Sequence, residues 1–134
     1  MTGATGDREL IDLDAPLGPD FQPVIRLIIG GIAERVDFAF EEIDDLQLAV
    51  ERLLAEAGTR DTVHLRFEVR EEAIRARVGP LDEHAIAAAL RDGEGRPGQL
   101  TLERILTTVV DSFGVEDSAD GGVVVRLEKR KGYL

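Results

Sequence analysis

This sequence predicts a two-layer α+β sandwich, a mixed β-sheet with helices on one face, and three features carry the prediction. The first is Thr62–Arg70, where Val63, Leu65, Phe67 and Val69 alternate with His64, Arg66, Glu68 and Arg70. Period-two alternation marks a strand with one buried face. The second is the run Ala73–Val78, which alternates again just after Glu71-Glu72, so the two runs read as an antiparallel hairpin. The third is FAFEEIDDLQLAVERLLAEAG, Phe38 to Gly58, whose apolar Ile43, Leu46, Val50, Leu53, Leu54 and Ala57 fall on one helical face. Apolar helix stripes and a hairpin with one polar face bury against each other as two layers.

The remaining elements follow in order. Residues 1–7 read as a tail, residues 8–129 as a single domain, and residues 130–134 as a second tail. Glu9–Asp14 sets Ile11 and Leu13 against Asp12 and Asp14, a short strand that Pro16, Gly18 and Pro19 break. Asp20 is placed to cap the next helix, with a stripe of Phe21, Val24, Ile25, Ile28, Ile32 and Val36. Leu27 and Ile29 lie off that stripe and widen its apolar face. Gly30-Gly31 in mid-helix suits the close approach of another backbone. The acids Glu41, Glu42, Asp44 and Asp45 at the front of the long helix suit its positive end, and Gly58 suits its stop. Gly79-Pro80 ends the hairpin. Asp82 caps a short helix with Ala85, Ile86, Ala89 and Leu90 inward. Arg91–Gln99 reads as a loop. Thr101 caps the last helix, whose stripe runs from Leu102 to Phe113 and which Gly114 closes. A short strand is expected near Val115, then a turn at Asp120-Gly121-Gly122, then a final strand from Val123 to Lys129 with Val123, Val125 and Leu127 inward.

Composition narrows the function classes. The chain has 134 residues, 43% hydrophobic and 32% charged, with a net charge of -11. An acidic surface repels a phosphate backbone, which disfavours direct nucleic-acid binding and favours a basic protein partner. There is no cysteine, so disulfides and thiolate metal sites are excluded. No apolar run approaches the roughly 18 residues of a membrane span, and the N-terminus lacks a signal-peptide core, so the expected location is cytoplasmic. His64 and His84 have no second histidine at metal spacing, and Ser112 and Ser118 lack the histidine that nucleophilic catalysis needs. Arg66, Arg70, Arg75, Arg77 and Arg126 share the polar side of the strands. They form either a basic patch or cross-strand pairs with Glu68, Glu128 and Asp12.

The long helix also resembles a known family. Phe38–Gly58 is similar to the second helix of small anti-sigma factors of the RsbW and SpoIIAB type, serine-protein kinases on the Bergerat (GHKL) ATP-binding fold. The likeness extends back through VIRLIIGGIAERVDFAF (Val24–Phe40) and covers most of the chain. It implies a sigma factor and an anti-anti-sigma antagonist as partners, with ATP and Mg²⁺ as the family's cofactors. An arginine near position 26 contacts the sigma factor in that family. Arg26, with the apolar Leu27 and Ile29, is therefore the expected partner-binding face, whether for a sigma factor or for a second copy of the chain.

The family's chemical residues are not retained. Its Glu-x-x-x-Asn motif, base and Mg²⁺ ligand, falls on Arg52 and Glu56. Its D-x-G-x-G segment is RVGPLDEH here: Gly79 survives and Asp82 stands too far along. Its G-x-G-L segment aligns with Leu100–Glu103, which sets Leu100 and Leu102 where glycines clear the phosphate path. Gly93, Gly95 and Gly98 read as a vestigial lid. The expected function is therefore sequestration of a sigma factor without catalysis. The alternative is an active kinase that phosphorylates the antagonist with ATP.

Overall fold

The computed structural model describes residues 8–57, 60–91, 101–119 and 121–132. These form β1 (Arg8–Pro16), a 3-10 turn (Pro19–Phe21), α1 (Gln22–Glu34), α2 (Phe40–Ala55), β2 (Thr62–Arg70) and β3 (Ala73–Leu81). They continue as α3 (Glu83–Arg91), α4 (Leu102–Val109), β4 (Ser112–Asp117) and β5 (Val123–Arg130). The strands lie in the order β1-β2-β3-β5-β4. Every pairing is antiparallel, so the sheet is not the mixed one expected. The topology explains this: β2–β3 and β4–β5 are hairpins, α1 and α2 bring β2 back antiparallel to β1, and α3 and α4 carry the chain to the edge strand β4, from which β5 returns between β4 and β3, antiparallel to both.

One core holds the two layers. Leu46, Ala49, Val50 and Leu53 of α2 are fully buried, as are Leu65, Phe67, Ile74 and Leu127 of the sheet. The helices share that single core with the inward strand face, so they cover one side of the sheet. Glu42 supports the start of α2 by accepting the Ala39 N–H, at 2.6 Å, and the N–H of Gly132. Asp82 and Thr101 cap α3 and α4 as expected, accepting the Ala85 and Arg104 N–H groups. Gly121 and Gly122 take positive φ, 85° and 79°, in the β4–β5 turn. A Cβ on Gly122 would stand 2.5 Å from the Leu81 carbonyl oxygen, so that position has no room for a side chain.

Several boundaries differ from the sequence reading. Pro16 is the last residue of β1 rather than its breaker, since an edge strand tolerates a missing donor. Asp20 does not cap α1: it lies inside the 3-10 turn, and Phe21 holds the N-cap position with no side-chain bond. The buried stripe of α1 is Ile25, Ile29, Ile32 and Ala33, whereas Phe21 and Val24 are exposed. Strand β3 runs through Gly79-Pro80 to Leu81, with a register shift between Val78 and Leu81. Phe113 and Gly114 belong to β4, not to the end of the last helix. Gly58 and the loop glycines Gly93, Gly95 and Gly98 lie outside the described residues.

On the outer sheet face the arginines are paired. Arg66 donates to Asp12, Arg70 to Glu68, Arg75 and Arg130 to Glu128, and Arg77 and Arg126 to Glu116. Arg130 and then Arg75 hold the Glu128 carboxyl below its usual range, and Arg70 does the same for Glu68. His64 fastens β1 to β2, with Nδ1 2.6 Å from Asp14 and Nε2 2.8 Å from Asp12. The bond to Asp14, then that to Asp12, raises the His64 pKa.

A raised histidine pKa stabilises the fold fully below the unfolded value, about 6.5, and that contribution fades as pH rises through the folded value. Asp12 behaves oppositely: Arg66 and then His64 lower its pKa, and its contribution is lost on acidification. The melting-temperature difference between wild type and His64→Gln should therefore be largest just below about pH 6.5 and shrink as the pH is raised above it. A difference that is flat across this range would contradict the β1 fastening.

Candidate functional site

Two surfaces of the helical layer merit a functional reading. The first is the outward side of α1. Its packing on α2 fixes which residues remain outside. Gln47 of α2, buried, donates from Nε2 to the Arg26 carbonyl at 2.9 Å. A Cβ on Gly30 would lie 3.3 Å from that same nitrogen, so the glycine sits where the two helices approach closely. Arg26 spans to α2 and donates to Glu51 and to Asp44; Glu51 first, then Asp44, strengthens its hold on the proton. Leu27 is 77% exposed, and Phe21 and Val24 stand exposed on the same helix end. Ile29 is only 1% exposed and belongs to the core, so of the residues expected on this face only Arg26 and Leu27 are on the surface.

The second surface is a groove of about 720 Å³ between α2 and α4. Leu48 and Arg52 line it from α2, and Glu103, Arg104, Ile105, Thr107, Thr108 and Val109 from α4. Capping by Thr101 sets the start of α4 and turns Arg104 and Thr108, one turn apart, to the outside. Thr108 Oγ1 donates to the Arg104 carbonyl at 2.7 Å. Arg52 Nε is buried without a hydrogen-bond partner. Sequence reasoning marked Arg52 but missed Leu48 and Arg104. The available signal was Leu48 itself, an apolar residue off the buried stripe of its helix.

The residues that the resemblance sets at the family's nucleotide positions are Arg52, Glu56, Gly79, Asp82 and Leu102, and each has a definite place in this structure. A guanidinium at Arg52 offers only donors and does not deprotonate, so it cannot accept a proton from a substrate hydroxyl. Glu56, half-buried, forms the C-cap of α2. Among the described residues no group of three or more His, Asp or Glu side chains could hold a metal ion. Asp82 is engaged in capping α3. Gly79 has a structural reason to be glycine: an added Cβ would stand 2.7 Å from the Val123 carbonyl oxygen on β5. Leu102 is buried in the core, 4% exposed. Leu100 lies outside the described residues.

An antiparallel sheet covered on one face by four helices, with the long second helix at the centre of the helical layer, is the organisation of a GHKL ATPase-like domain. No family profile matches the chain. Individual proteins do, and each is named Serine-protein kinase RsbW. The Bacillus subtilis protein is 27% identical over 119 residues, covering 89% of this chain and 71% of its own. That of Halalkalibacterium halodurans is 28% identical over 142 residues, covering 90% and 83%. A Bacillus licheniformis protein is 31% identical over 146 residues, covering 90% and 85%. The chain belongs to the RsbW family.

The Gly79 finding can be tested directly. Gly79→Ala would press a methyl group into the β5 backbone, and overpacking of this kind costs about 1–3 kcal/mol. Urea unfolding should show that loss. An unchanged midpoint would return Gly79 to the list of residues kept for a ligand.

Proposed function

We propose that this chain is a non-catalytic binding regulator that sequesters a sigma factor through the outward face of α1. The observation that carries this reading is the contrast between the two surfaces. The α1 face is built for contact: Arg26 is pre-positioned by Glu51 and Asp44, and Leu27 beside it is almost fully exposed. The kinase positions are not built for chemistry, since Arg52 replaces the base and Gly79 serves strand packing. Binding needs a preformed surface and no proton acceptor, so the loss of the second leaves the first intact.

The RsbW relationship supports an anti-sigma role, and a protein of net charge -11 suits a basic partner and not a nucleic acid. An anti-anti-sigma protein would compete for this chain, and a second copy is the other candidate occupant of the α1 face. No helix among the described residues is long and apolar enough to cross a membrane, which accords with work in the cytoplasm. The competing reading, an ATP-dependent serine kinase, is favoured by the name its relatives carry.

The experiment is titration calorimetry against each sigma factor of the source organism in turn. Leu27→Asp should leave folding intact, because the side chain is already in water. Placing an unpaired carboxylate in an interface centre costs about 2 kcal/mol or more, a weakening of roughly 30-fold. Full-strength binding by the variant would remove the α1 face from the account.

A further inference from the structure

We propose that the groove between α2 and α4 is a metal-independent binding site for an amphiphilic organic anion, a carboxylate or phosphate ester on an apolar body. The inference goes beyond the proposed function and does not depend on it.

The starting observation is how the arginines are used. This is an acidic chain, and its described arginines are otherwise engaged. Most donate to carboxylates across the sheet or between helices. Arg60 reaches the Gly121 carbonyl and Arg91 the Ala87 carbonyl. Among the described residues, Arg52 and Arg104 alone of the arginines have no side-chain hydrogen bond or ion pair. Both line the same groove. An unpaired guanidinium with a buried nitrogen is unfavourable when left empty, and a bound acceptor would relieve that cost.

The groove has the composition of a small-molecule site. Its volume lies in the range of about 300–1,000 Å³ typical of ligand pockets, and such pockets are mostly apolar with a few placed polar groups. Here Leu48 and Ile105 provide apolar surface, and Thr108 adds a hydroxyl beside the two arginines. A guanidinium fork matches a carboxylate or phosphate head. Glu103 on the same rim opposes a heavily charged ligand and favours a single head group on an apolar body. A triphosphate has the opposite character. No metal is required, because the positive charge is already supplied by side chains.

The test uses 1-anilinonaphthalene-8-sulfonate and its uncharged counterpart N-phenyl-1-naphthylamine as fluorescent probes of the full chain. The anionic probe should bind saturably, unaffected by EDTA, and at least about tenfold more tightly than the neutral one. Arg104→Gln, at an exposed position, and the double variant with Arg52→Gln should each reduce that preference, the double variant by about tenfold or more. Octanoate and octyl phosphate should displace the anionic probe, the stronger of them identifying the head group, while octanol should not. Leu48→Asp should weaken both probes. Absence of saturable binding to the wild type would overturn the proposal. So would anionic-probe affinity unchanged in both arginine variants, or displacement by octanol equal to that by octanoate.

Discussion

Everything in this domain leans on the buried face of α2. Leu46, Ala49, Val50 and Leu53 are fully excluded from water and join the helical layer to the inward side of the sheet. Each fully buried leucine or valine contributes about 1.5–3 kcal/mol relative to exposure. With that face committed to the core, the remaining sides of the helix are free to differ. One side accepts α1, through Gln47 and the Arg26 clamp. The side carrying Leu48 and Arg52 meets α4 across an open groove. The family's frame is a property of the first surface, and its chemistry a property of the others. Residues such as Arg52 and Glu56 can therefore vary while the fold persists, because neither belongs to the core.

The open face of the sheet follows a different rule. Its arginines are numerous, yet cross-strand carboxylates neutralise them, with Glu116 bridging Arg77 and Arg126 and Glu128 bridging Arg75 and Arg130. The small hollow lined by His64, Arg66 and Arg77 is likewise satisfied internally, by Asp12, Asp14 and Glu116. Exposed pairs of this type stabilise little, about 0–1 kcal/mol each. Their main effect here is to neutralise the arginines of this face, so that among the described residues the unpaired arginines, Arg52 and Arg104, lie on the helical side.

Where one periodicity dominated, the sequence was readable. Strand β2 and the core positions of α2 and β5 follow directly from their alternation or stripe, and the caps at Asp82 and Thr101 from residue type. Helix α1 was harder because it is apolar on too many sides. The expected stripe took in Phe21 and Val24 and left out Ile29; packing buries Ile25 and Ile29 and leaves Phe21 and Val24 in water. Strand β4 was obscured because Phe113 continues the phase of the preceding helix by chance. Strand β3 outran Gly79-Pro80 because β5 comes close enough to require the glycine, a tertiary fact with no local signal. At the site, the reading that Arg52 and Glu56 stand at the family's base and metal-ligand positions rests on the resemblance alone. The arginine pairing, the burial of Leu102 and the groove at Arg52 were not legible, since each depends on residues far apart in the chain.

The central proposal is that the RsbW-type frame of this chain works without the family's nucleotide chemistry. Titration calorimetry of the unmodified protein with Mg-ATP addresses it most directly. The aspartate of the family's D-x-G-x-G segment reads the adenine amino group; without it a site of that kind would lose about 1.5–3 kcal/mol, and a carboxylate at Glu56 near the phosphates would oppose binding further. About 4 kcal/mol in total moves a micromolar site to a millimolar one. The account predicts no saturable heat at micromolar nucleotide. A dissociation constant in the low micromolar range would contradict it and return the chain to the working kinases.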